Sequence, residues 1–97
     1  MNKTAQITAG ATAYESITVT NAAAIGFTLA TYTGKRGCFV TLETTDIRFR
    51  YDGTDPTVAE GHIMYVGTSL HFLSANVLSR IKFISTGANA TLRVSYY

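Results

Sequence analysis

Residues 48–70 read RFRYDGTDPTVAEGHIMYVGTSL, and the fold class turns on how this stretch is taken. Two arginines, an acidic turn and a histidine lie close together, which suggests an active site. The periodicity says otherwise. With the two preceding residues, DIRFRY (46–51) places Ile47, Phe49 and Tyr51 on one face and Arg48 and Arg50 on the other, the alternation of a half-buried strand. DGTDP is what a tight turn requires: Asp52 for a side-chain to backbone bond, Gly53 for positive φ, and Pro56 to fix φ and remove a ladder donor. HIMYV (62–66) then resumes the alternation. A hairpin of a structural β domain accounts for the whole stretch.

The same pattern extends in both directions. SITVT (16–20), IGFTLA (25–30), FVTLET (39–44), SLHFLS (69–74), RIKFIS (80–85) and TLRVSYY (91–97) bring the total to about eight short strands, separated by glycine-containing breaks such as YTGKRG (32–37), Gly67 and TGAN (86–89). β-branched and aromatic residues are abundant, and they lose rotamer freedom in helices while packing well on a pleated sheet. Two stretches admit one helical turn each: NAAAIGF (21–27), capped by Asn21, and SANVLSR (74–80), capped by Ser74 or Asn76. The expected architecture is all-β, an antiparallel β-sandwich of jelly-roll type or a small barrel. Residues 1–15 are poor in large apolar side chains apart from Ile7 and Tyr14, and read as an N-terminal arm preceding a single domain over 16–97.

Composition bounds the function. A chain of 97 residues supports one core. Charged residues make up 14%, against about 25% in ordinary soluble domains. The surface is therefore polar but weakly charged. A net charge of +2 does not point to nucleic acid or an anionic membrane. Cys38 is the only cysteine, which excludes an internal disulfide and leaves packing, and association, to hold the fold. There is no apolar run of signal-peptide or membrane-span length, so synthesis in the cytosol as a soluble protein is the expectation.

Catalytic and metal readings find little support. Asp52, Asp55 and Glu60 lie near His62, a possible acid–base set, but the turn chemistry already explains the carboxylates. Asp52, Asp55 and Thr54 lack the spacing of a calcium loop, and His62, His71 and Cys38 form no pair at zinc spacing. No nucleophile elbow or phosphate-binding glycine loop occurs. Cys38, beside Phe39 and Val40, is expected to be a buried thiol. His71 alternates with Leu70 and Phe72, on an outer face. No enzyme, cofactor or metal is expected.

The cations are the more informative group. Arg48 and Arg50 share one strand face, Arg80 and Lys82 another, and Arg93 points away from Leu92 and Val94. Five cations would form a patch if those strands were neighbours, although like charges directly opposite repel and favour dispersal over a solvated face.

The run at 48–70, together with ISTGANATLRVSYY at 84–97, resembles small virion proteins encoded among the structural genes of tailed bacteriophages. The resemblance lies in the R-x-R-Y strand, the D-G-x-x-P-T turn, the E-G-H strand start, the G-x-S-L step and the final T-G-x-x-A-T-L-R-V-x-Y-Y strand, over about the last sixty residues. It implies a capsid decoration, or cement, protein that binds the assembled head, with the major capsid protein or other virion proteins as partners and the virion, assembled in the host cytoplasm, as location. The candidate contact residues are then Arg48, Arg50, Asp52, Asp55, Arg80, Lys82 and Arg93, and a homo-oligomer, a trimer foremost, is expected from the small unstapled core. Two alternatives remain open: a tail or connector subunit, and a small carbohydrate-binding β-sandwich of an adhesion apparatus that uses Tyr32, Tyr51, Tyr65, Tyr96 or Tyr97 as platforms, most of which fit the core series equally well. The assigned strand faces predict a cost of about 3–5 kcal/mol for Phe49→Ala and little for Arg48→Ala.

Overall fold

The structure, a computed structural model, describes residues 10–97. Among the described residues there are seven strands: β1 (Ala13–Val19), β2 (Cys38–Glu43), β3 (Ile47–Arg50), β4 (His62–Met64), β5 (Ser69–Phe72), β6 (Lys82–Ser85) and β7 (Ala90–Tyr96). They form two antiparallel sheets, ordered β1-β7-β2-β5 and β4-β3-β6. The all-β expectation holds, with two short helices, α1 (Leu29–Tyr32) and α2 (Ala75–Arg80), added.

Alternation produces the core. In the four-stranded sheet Ile17, Val19, Cys38, Val40, Leu42, Ala90, Leu92, Val94 and Tyr96 point inward, and the three-stranded sheet adds Ile47, Phe49, Met64 and Phe83. Phe27, Leu78 and Ile81 join them from the connections. Each fully buried large side chain contributes about 1.5–3 kcal/mol relative to exposure. Four of these groups form an aromatic chain through the interior that ends on exposed His62: Phe27 touches Tyr96 (5.6 Å between centroids) and Phe83 (5.3 Å), Phe83 touches Phe49 (6.3 Å), and Phe49 touches His62 (5.3 Å).

Several expectations need correction. Residues 25–30 are not a strand. Ile25 makes one bridge to Phe83, Phe27 turns into the core, and Thr28 is held by Glu15, which accepts from its N–H at 3.2 Å and its hydroxyl at 2.5 Å. The Thr28 carbonyl then starts α1 by accepting from Thr31 and Tyr32. At residues 21–27 no helical turn forms, and Thr20 rather than Asn21 accepts the local N–H, that of Ala22. The strand expected over 80–85 begins at Lys82, because α2 runs through Arg80. Ser74 occupies the N-cap position of α2 without a side-chain cap bond.

The arm expected over 1–15 also shrinks. Ala13, Tyr14 and Glu15 belong to β1, paired with Tyr96, Ser95 and Val94. Ile7 and the rest of residues 1–9 lie outside the described residues.

Candidate functional site

The stretch 48–70 is indeed a hairpin: β3 and β4 pair through Ile47–Met64, Arg48–Ile63 and Phe49–His62. The residues between them, 51–61, form a long loop that returns over the outer face of its own sheet. Arg48 holds it there. Its Nε donates to the Val58 carbonyl at 3.0 Å and its Nη1 to the Gly61 carbonyl at 2.9 Å. Pro56, within the loop, is buried, its Cβ 3.2 Å from where a Cβ on Gly61 would stand. Ile84, the cross-strand partner of Arg48, is 6% exposed although it faces away from the main core. Gly61 sits at φ 139° with the Phe49 carbonyl, Pro56 and Arg48 all at 3.1–3.3 Å from an added Cβ, so the loop closes only around a glycine.

The folded loop leaves an open cleft of about 540 Å³ lined by Arg50, Tyr51, Asp52, Glu60, Gly61 and His62. Arg50 and Asp52 form a two-bonded ion pair, 3.1 Å from Nε to Oδ1 and 2.5 Å from Nη2 to Oδ2. The bond from Arg50 holds the Asp52 carboxyl below its ordinary range, and Asp52 in turn raises Arg50. Asp52 Oδ1 also accepts from Thr54 N–H at 3.4 Å, and Gly53 has φ 88°, the turn chemistry expected of DGTDP. Tyr51 and His62 stack at 5.7 Å and 27°. Phe49 backs both, at 6.3 Å from Tyr51 and 5.3 Å from His62.

The seven residues expected to make contacts do not form one surface. Arg50 and Lys82 are direct cross-strand partners, Arg80 lies near Gly53, its Nη1 3.8 Å from where a Cβ would be, and Asp52 neutralises Arg50. Arg48 is spent on the loop. Asp55 is exposed in the loop. Arg93 lies on the other sheet, bonded to Glu43 (3.3 Å) and Ser16 (3.1 Å). The five-cation patch is thus divided between two sheets, because β7 pairs with β1 and β2 and not with β3 or β6. Arg80 and Lys82 do not share a strand face either, since Arg80 ends a helix.

Sequence reading missed Glu60 and Gly61 as neighbours of Arg50, and missed the Tyr51–His62 stack. Tyr51 and His62 are eleven apart along the chain, and the register Phe49–His62 brings them together. The tyrosines depart from the core series as well: Tyr96 is fully buried, but Tyr51 is 50% and Tyr65 58% exposed.

The outer face of the four-stranded sheet is the second candidate surface. Across it run Tyr14, Ser95, Phe39 and His71, then Ser16, Arg93, Thr41 and Ser69. Phe39 meets His71 edge-on at 6.1 Å, and the Tyr97 hydroxyl hydrogen-bonds His71 Nε2. The charges in these rows and the next, Arg93 and Glu43, pair with each other. Among the described residues no three His, Cys, Asp or Glu side chains gather to hold a metal, and no helix is long and apolar enough to cross a membrane. Cys38 is buried, and burial pushes its thiol up to about 12. No family model, curated protein or solved structure matches the chain.

Proposed function

We propose that the domain is a non-enzymatic virion structural protein of a tailed bacteriophage, a small sandwich that decorates the assembled head. The reading starts from the resemblance of residues 48–70 and 84–97 to such proteins. The observation that carries it furthest is the outer face of the four-stranded sheet, a broad surface of Ser, Thr and aromatic side chains whose two charges, Arg93 and Glu43, neutralise each other. Such a face docks on a protein shell without stranding a charge, which is the main cost of burying polar surface. Binding only the assembled shell would stabilise it by mass action, with no chemistry required.

The major capsid protein is the proposed partner, the virion the proposed location, and a trimer the proposed state, since a small core without staples gains from association. The test is co-sedimentation of purified protein with empty capsids of the phage that encodes it and with unassembled capsid protein. Binding to capsids alone, together with a higher capsid melting temperature, is expected. Failure to co-sediment, or equal binding by a Phe39→Asp variant, sinks the reading. Light scattering across a hundredfold dilution checks the trimer, and a monomer throughout removes that part of the proposal.

A further inference from the structure

The cleft beside the hairpin loop has a composition of its own, independent of the capsid reading. Its volume of about 540 Å³ lies within the range of about 300–1,000 Å³ typical of small-molecule sites. One wall is aromatic and pre-built: Tyr51, half exposed, lies nearly parallel to His62 and to Phe49, and Phe49 is locked into the core through Phe83. A ring held in this way presents a fixed apolar surface and loses little freedom when covered. The other walls carry planar polar groups, the Arg50–Asp52 pair and the Glu60 carboxylate.

The charges choose the ligand class. Among the charged lining residues Arg50 contributes +1, and Asp52 and Glu60 contribute −1 each, while Lys82 and Arg80 stand nearby outside the lining. Because the guanidinium is already engaged bidentately by Asp52, a phosphate or carboxylate would have to displace Asp52 and face Glu60. A neutral polyol has no such difficulty. Its hydroxyls donate to the carboxylates, and its C–H face packs on the tyrosine ring.

We propose that this cleft binds a neutral sugar ring, stacked on Tyr51 and hydrogen-bonded to Asp52 and Glu60. The two carboxylates fix the orientation of the ring through adjacent hydroxyls, and the Arg50 bonds keep Asp52 ionised and in place for that task.

The experiment is an amide-resolved NMR titration of the labelled full chain with the methyl glycosides of glucose, galactose, mannose and N-acetylglucosamine, each to about 50 mM, which covers the millimolar affinities of small exposed sites. Phosphate and choline serve as charged controls. Saturable shifts at Tyr51, Asp52, Gly61 and His62 with at least one sugar are expected, lost in Tyr51→Ala, kept in Tyr51→Phe, and weakened about tenfold or more in Glu60→Gln, as for loss of a charged acceptor. No saturable shift with any sugar, shifts confined to Phe39 and His71 on the opposite sheet, a response to phosphate or choline alone, or undiminished binding by Tyr51→Ala each overturns the proposal. Should Tyr51→Ala not fold, exposed Glu60→Gln decides the matter, and unchanged affinity there overturns it.

Discussion

Arg48 and Arg50 leave the same face of β3 two residues apart and have different tasks. Arg50 is satisfied by a neighbouring carboxylate at the rim of the cleft, whereas Arg48 reaches under the loop to two backbone carbonyls. Those carbonyls belong to a segment with few other fixed partners, so losing the guanidinium releases the loop. Arg48→Ala should therefore cost about 1–2 kcal/mol, contrary to the small effect that a solvated strand face would imply. Arg48→Lys should fail to restore it, because an ammonium cannot span both acceptors with a planar fork. Phe49→Ala should cost about 3–5 kcal/mol, since it opens a cavity between Phe83 and His62 in the aromatic chain. Denaturant unfolding of the three variants ranks them, and an Arg48→Ala protein as stable as wild type would remove the strut.

At the scale of elements, close approach and backbone strain matter more than apolar pattern. Gly37 precedes β2, exchanging backbone hydrogen bonds with Tyr97 on one side. On the other side a Cβ would collide with the Phe72 carbonyl oxygen and crowd Leu73 Cα at 3.3 Å. Both walls are backbone. Gly37→Ala should lose about 3 kcal/mol or more, and a melting temperature near wild type would mean that β5 can move away from β2. Thr44 shows the opposite case. It holds φ 88° where the chain leaves one sheet for the other, a conformation that costs a β-branched residue about 1–2 kcal/mol. Thr44→Gly should recover part of that, about 0.5–1 kcal/mol after its entropy cost, read as a rise in denaturation midpoint. A fall would show that the Thr44 side chain makes a compensating contact.

For the molecule as a whole, two buried acidic hydrogens tie stability to pH. Burial raises the Cys38 thiol from 9.0 to about 12. The Tyr96 hydroxyl is raised above its ordinary 10.0 by burial first and then by its bond to Glu15. In both cases the folded chain keeps a proton that the unfolded chain releases. Their contribution is therefore complete below pH 9 and is lost as pH rises from there, at about 1.4 kcal/mol per unit for each group that ionises only on unfolding. Melting temperature should be flat with respect to these groups from pH 7 to 8.5 and fall above pH 9. Cys38→Ala, whatever its packing cost, should shift the onset toward pH 10. An unchanged onset would mean that the thiol is not the first group to act.

Local alternation was enough to place six of the seven strands near their true limits, to set the faces of β3 and β7, and to bury Cys38, because a period of two is written into adjacent residues and needs no partner. It failed at 25–30, where Gly26, Phe27 and Thr28 look like strand residues but are redirected by Glu15 and by the core. It failed again for the cations, since whether Arg93 and Arg48 are neighbours depends on strand order. The cleft was equally hidden. Its walls come from the two ends of one hairpin, and they meet only because Phe49 is registered on His62 and Arg48 folds the intervening loop back on the sheet. The amino-acid order thus carried the class of fold and the inward faces, which are local properties. Strand order, the division of charge between two sheets and the aromatic cleft are set by contacts between residues far apart in the chain, and those exist only once the sheets have paired.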